Sequence, residues 1–143
     1  MRVRLSPTSY PVAALMAAAA FLAGCTQAYY TRPGTLRPAT AAVAPADRLS
    51  TWQHAVIALL DQGYVPQVLN EGAGYISAKR REDLTSDALT GTMATVVVSP
   101  EGAVRVELSG VGLFTSEQAF LDAVVARQAQ ILQAIMAPRA PAR

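Results

Sequence analysis

The fold is decided by residues 92–109, which read TMATVVVSPEGAVRVELS. Residues 94–98 form a nearly continuous apolar run rich in β-branched side chains, which is typical of a central strand. Residues 104–108 alternate valine or leucine with polar residues, the pattern of a half-buried strand. Residues 100–102, Pro-Glu-Gly, have the composition of a turn. The stretch therefore predicts an antiparallel hairpin with one buried face and one solvent face.

A second hairpin is predicted just before it. Residues 64–69 and 75–81 have strand composition, and the Gly-rich residues 70–74 between them favour a turn. Because Pro66 has no amide proton to donate, we expect its strand to lie at an edge of the sheet. Two hairpins predict a four-stranded antiparallel sheet, and we interpret residues 110–114 after it as a loop.

Two helices flank the hairpins. Leu49, Trp52, Val56 and Leu59 follow helical spacing, and Phe120, Val124, Ile131 and Ile135 mark a second, longer stripe. Each strand offers one apolar face, so both helices should pack on the same side of the sheet. The sequence thus predicts an α+β, two-layer sandwich over residues 47–137, with an N-terminal and a long C-terminal helix. Residues 138–143 are predicted to be a disordered tail.

The N-terminus has a different character. Arg2 and Arg4 precede an unbroken apolar run over residues 12–23, which is shorter than the roughly 20 residues of a membrane-spanning helix and fits a signal peptide. The run ends in Leu22-Ala23-Gly24-Cys25, which resembles the lipobox of bacterial lipoproteins. The alternative is a general secretory signal followed by an incidental cysteine.

The resemblance to bacterial lipoproteins implies removal of residues 1–24 and attachment of diacylglycerol, with chains such as palmitate, to the Cys25 sulfur. It also implies an outer-membrane protein facing the periplasm, because Thr26 stands where an inner-membrane retention signal would have aspartate. Residues 25–46 contain three prolines and show neither helical nor strand periodicity. We predict that they form a flexible tether.

Removal of the leader changes the charge balance. Two of the 12 basic residues, Arg2 and Arg4, leave with it, so ten basic residues face ten acidic ones. A neutral chain gives no support to a nucleic-acid partner. Cys25 is the single cysteine, so the folded part has no disulfide and must be stabilised by packing.

No catalytic, cofactor-binding or metal-binding residues are predicted. His54 is the single histidine, and we expect it on the exposed side of its helix. Glu82, Asp83 and Asp87 are too sparse for a calcium loop. Lys79-Arg80-Arg81 would either bind an anionic headgroup or partner, or form a solvated strand end paired with those acids. These residues do not indicate an enzyme.

The order of elements, a helix first and a long helix last, is similar to helix-grip-like modules of envelope lipoproteins, a likeness that carries over no site residues. We expect a membrane-anchored, non-catalytic module that binds an unidentified envelope protein through the open face of the sheet or the Pro66 edge. The alternative is a carrier of lipid or another apolar ligand, with a pocket between helices and sheet lined by Trp52, Val106 and Phe120. The sequence does not specify an oligomeric state.

Overall fold

The computed structural model describes residues 28–31, 36–81 and 89–138. The predictions for the signal peptide, for Cys25, for the acidic residues 82–87 and for residues 139–143 of the tail lie outside the described residues.

The described residues form an antiparallel sheet and two helices, so the predicted α+β class is confirmed. The strands are β1 (Ala28–Thr31), β2 (Ala39–Ala42), β3 (Tyr64–Asn70), β4 (Tyr75–Arg80), β5 (Leu89–Val98) and β6 (Ala103–Phe114). The helices are α1 (Arg48–Asp61), which follows a short 3-10 turn at Pro45–Asp47, and α2 (Glu117–Met136).

The sheet is larger than the four strands that the sequence predicted. Strands β3, β4, β5 and β6 are neighbours in that order, and both β1 and β2 pair with β6 on its other side. Strand β2 lies along the first part of β6, with Ala42 opposite Ala103, and β1 lies along its last part, with Ala28 opposite Phe114. The described sheet therefore has six strands in five positions.

Both added strands come from residues 25–46, so the prediction of a flexible tether is wrong for residues 28–31 and 39–42. The folded unit accordingly begins before residue 47. The physical reason is that a short edge strand is held by backbone hydrogen bonds and needs no alternating apolar pattern.

The core lies between the helices and one face of the sheet. Alternate residues of the three central strands have no exposed surface, namely Ile76, Ala78, Ala94, Val96, Val98, Val104, Val106 and Leu108. They pack with Leu59 of α1 and with Phe120, Val124 and Ile131 of α2. The intervening side chains of β5 and β6 are exposed or half-buried, so both helices lie on the same face.

The two predicted hairpin turns are present, and each needs a glycine. Gly74 and Gly102 have φ angles of +66° and +87°, in the left-handed region that glycine occupies without a steric penalty. A Cβ atom at Gly102 would lie 2.1 Å from the Val43 carbonyl oxygen. Close approach of the segment after β2 therefore depends on this turn.

The loop predicted for residues 110–114 is instead the last part of β6. Glycines at positions 110 and 112 suggested a loop, but β1 pairs with residues 111–114 and makes them part of the sheet. Strand β6 consequently extends beyond the end of β4, whose last paired residue with β5 is Lys79, opposite Met93.

Candidate docking surface

The sheet face opposite the helices, here called the open face, is the candidate docking surface. It follows from the alternation predicted for residues 104–108, because the residues between the buried ones point away from the core. Register places Arg105 beside Val97 and Val97 beside Tyr75, and in the next row it places Glu107, Thr95, Ser77 and Val68 side by side. The centre of the open face is thus mostly polar.

The charged groups of the open face are partly compensated. The Arg105 guanidinium forms an ion pair with the Glu107 carboxylate two residues along β6. Lys79 is exposed in the same row as Met93. Arg80, its neighbour in sequence, is half-buried and lies on the opposite side of β4. The predicted Lys79-Arg80-Arg81 triplet is therefore divided between two faces and does not form one basic patch.

The apolar part of the open face is concentrated at the free end of β6. Met93, Val111 and Leu113, here called the β6 corner, are 39%, 39% and 38% exposed. The next residue, Phe114, turns to the helix side and packs edge-on against Phe120, with ring centroids 5.6 Å apart. Val111 and Leu113 therefore lie on the part of the sheet that extends past β4, and Met93 lies level with the end of β4, opposite Lys79.

The opposite end of β6 is charged. Glu101 lies in the turn between β5 and β6, and hydrogen bonds with the Ser99 side chain and with its own backbone amide hold its pKa below the ordinary value. The positive charge of Arg48 has a smaller effect in the same direction. The lowered pKa keeps this carboxylate ionised to a lower pH than an ordinary glutamate, and the two ends of β6 differ in polarity.

Strand β3 forms one edge of the described sheet, as Pro66 predicted. The amide of Arg81 donates to the Gly63 carbonyl at 2.9 Å, and the alternation of an antiparallel ladder then directs the backbone of Pro66 away from β4. The register also shifts between Pro66 and Val68. The outward side of β3 therefore lacks a donor at Pro66 and is interrupted by a bulge, features that hinder pairing with another strand.

The β6 edge is covered, and a glutamine completes the cover. Gln128 of α2 is 1% exposed and lies where neither β1 nor β2 pairs with β6. Its Oε1 accepts a hydrogen bond from the Leu108 amide, and its Nε2 donates to the Arg37 carbonyl, both at 3.0 Å. The sequence analysis did not identify Gln128. The feature that could have indicated its role is a polar side chain between Val124 and Ile131 in the otherwise apolar stripe of α2.

The residues predicted to line a ligand pocket lie in the core. Trp52 is 8% exposed, and Val106 and Phe120 have no exposed surface. The Phe120 ring also stacks on Tyr30, with centroids 5.9 Å apart. Because a side chain without accessible surface does not border a water-sized cavity, Val106 and Phe120 fill space between the layers instead of enclosing a ligand.

Two open grooves lie elsewhere on the described surface. One, of about 530 Å³, runs past the end of α1 toward Arg80 and Arg81. The other, of about 360 Å³, lies between the start of α1 and the end of α2 and includes His54. His54 is half-buried there, not fully exposed as predicted, because the end of α2 lies beside it. Within the described ranges no three His, Cys, Asp or Glu residues are placed to hold a metal ion.

Comparison with known proteins gives no match in sequence, either to a family model or to a curated protein. Neither helix in the described part of the chain is long and apolar enough to cross a bilayer. The case for a function therefore rests on the chain's own residues.

Proposed function

We propose that this chain is a lipoprotein, anchored to the outer membrane through acylated Cys25 and facing the periplasm, that binds an envelope protein without catalysing a reaction. Two or three acyl chains hold a protein on a membrane durably, since each buried methylene contributes about 0.8 kcal/mol. The sequence Leu22-Ala23-Gly24-Cys25, preceded by a basic start and an apolar run, supports the anchor.

The observation that carries the binding role is the open face. Both described helices pack on the other side of the sheet, and on this side Val65 and Val68 are 42% and 50% exposed and Val97 is half-buried. Exposed apolar side chains on one face are a common feature of protein interaction sites. The two-layer arrangement leaves this face available.

The open face is a better docking surface than the edge at Pro66. A partner that added a strand to β3 would need a continuous row of outward donors and acceptors. Pro66 and the bulge after it interrupt that row. Side-chain contacts across the face do not depend on the ladder. A carrier of apolar ligands is less well supported, because the side chains expected around its pocket fill the core.

The binding role is tested by crosslinking in intact cells. A photoreactive benzoylphenylalanine at Val97, half-buried at the centre of the open face, should capture a specific envelope protein that mass spectrometry identifies. The matched control places the same group at Gln133, which is exposed on α2. Identical products at the two positions, or capture of abundant porins alone, would contradict docking through the open face.

The anchor is tested separately. Replacing Cys25 by alanine removes the sulfur that takes the diacylglycerol, so Cys25→Ala should yield either an unprocessed precursor or a protein released from the membrane. Fractionation and intact-mass measurement distinguish these states from the acylated protein. Normal processing with continued membrane retention would refute the lipoprotein assignment.

A further inference from the structure

The position of β1 determines where a lipid anchor joins the domain. Ala28, the first residue of β1, lies opposite Phe114 at the end of β6. Cys25 precedes Ala28 by three residues, and a chain spans at most about 3.6 Å per residue, so the two Cα atoms lie within about 11 Å of each other. An acylated Cys25 would therefore hold this end of the sheet at the membrane surface, not at the distance that a free tether of 21 residues would allow.

We propose that the β6 corner is a membrane-contact surface, with the side chains of Val111, Leu113 and Met93 resting in the interfacial region of the bilayer. The proposal depends on the acylation of Cys25 described above. It goes further by assigning an orientation: the end of β6 next to β1 faces the lipid, and the hairpin turn at Glu101 faces the periplasm.

The apolar character of the corner supports contact from the sheet side. Leu113 is opposite Tyr29 in the register of β1 and β6. It is therefore next to Phe114, whose partner Ala28 is the described residue nearest the anchor. On the same face as Leu113, Val111 lies two residues back along β6 and Met93 lies opposite Ser109, and both are about equally exposed. Since β6 extends past the end of β4, Val111 and Leu113 lie beyond the end of that strand and closer to the anchor.

One charge, that of Lys79, favours the same orientation. Lys79 lies beside Met93 in the register, so its ammonium group is placed at the rim of the corner, where a cation is attracted to anionic headgroups. The helix side of this end is polar instead, with Ser116, Glu117, Gln118 and Asp122 exposed at the start of α2. The sheet side of the corner is thus where proximity to the anchor and apolar character coincide.

The occupant is a lipid surface because of the covalent connection. A protein that covered the β6 corner would have to enter the space between the domain and the acyl chains about 11 Å or less from Ala28. The polar centre of the open face, around Arg105 and Glu107, lies farther from the anchor and stays accessible to a protein partner. The two surfaces therefore do not compete.

The test uses the full, lipidated protein in vesicles of phosphatidylethanolamine and phosphatidylglycerol. Leu113→Cys is labelled with nitrobenzoxadiazole, which reacts at this thiol because an acylated Cys25 has none. Val68→Cys is the control, since Val68 is 50% exposed on the same face. It lies six residues, about 20 Å, along the strands from Leu113 and three strand spacings, about 14 Å, across the sheet.

Vesicles that contain nitroxide-labelled lipid should quench the label at position 113 and leave the label at position 68 bright, with a blue-shifted emission at position 113 alone. Equal, solvent-like emission at both positions, in protein whose mass shows acylation and which floats with the vesicles, would overturn the orientation and leave the anchor intact. Crosslinking between two copies at position 113 without quenching would overturn it in favour of a second copy. An unmodified Cys25 in the mass spectrum would instead refute the proposed function on which the orientation depends.

Discussion

The two edges of the sheet are protected from other strands in different ways. The β6 edge is covered by β1 and β2, two short segments from the N-terminal part of the chain, with Gln128 bonded between them. The β3 edge is not covered by any described strand, and it carries Pro66 and a bulge instead. An exposed edge can pair with a strand of another chain, and both a covering segment and a proline with a bulge are known to prevent this pairing. The comparison shows that covering an edge also fixes where the N-terminus leaves the domain.

The cover of the β6 edge is held by backbone pairing and by Tyr30, Leu36 and Val43, which pack against the core. Strand β2 pairs residue by residue with residues 103–106, and the Val43 amide then donates to the Gly102 carbonyl at 2.7 Å. Strand β2 itself consists of alanine and threonine, so its pairing should depend on a small number of backbone positions. Among the described strands, β3 pairs only with β4 and carries no covering strand, so substitutions that act on the cover should leave the β3 edge unchanged.

Gly102→Ala should have the largest effect. The residue has a positive φ angle, and its new Cβ atom would lie 2.1 Å from the Val43 carbonyl oxygen. A left-handed conformation alone costs about 1–2 kcal/mol for a residue with a Cβ atom, and the segment after β2 must also move. We expect a loss of roughly 2–4 kcal/mol in the free energy of unfolding, measured by urea denaturation.

The control for this substitution is Gly72→Ala, in the turn next to β3. Its Cβ atom would meet the Asn70 Oδ1 atom at 3.7 Å, an ordinary contact, and surface changes of this kind stay within about 0.5 kcal/mol. A similar loss of stability in both variants would show that the covered edge is not specially dependent on its turn.

Gln128→Met should have an intermediate effect. The substitution keeps the length of the side chain and removes both of its hydrogen bonds, which leaves the Leu108 amide and the Arg37 carbonyl unpaired. Burying unpaired groups costs about 1–3 kcal/mol. Hydrogen exchange should increase in residues 36–42 and stay unchanged in β3. The exposed neighbour Gln130→Met is the control, and protection of residues 36–42 equal to that of the unaltered protein would contradict the role of Gln128.

Much of the fold could be predicted from the sequence, for reasons that the structure makes clear. Residues 94–98 and 104–108 are buried on alternate positions, and burial on one face is what a strand pattern records. The same logic does not reach β2, whose sequence Ala-Thr-Ala-Ala has little apolar contrast and whose pairing is a property of the backbone. Edge strands of this kind are therefore difficult to predict from amino-acid composition.

The candidate docking surface was predicted in part. Alternation identified the open face and Pro66 identified the edge, since each is a local property of one strand. The β6 corner was not predicted, because the glycines at positions 110 and 112 resemble a loop until β1 pairs beside them. The distance between the β6 corner and Cys25 also depends on the pairing of β1 with β6. Gln128 was missed because its two partners, Leu108 and Arg37, are far from it in sequence.

Pro66→Val should have the smallest effect on stability and should act on the other edge. Replacing proline at a compatible position returns backbone entropy to the unfolded chain and lowers the free energy of unfolding by about 0.4–1 kcal/mol. The new amide would point outward from β3, where it becomes available to another strand. We therefore expect more self-association, measured by sedimentation velocity on the chain from residue 28 onward. Gln67→Val adds the same side chain at the bulge without adding an outward donor. If both variants associate equally, the cause is apolar surface alone, and the difference between the two edges of the sheet lies in the covering strands and not in Pro66.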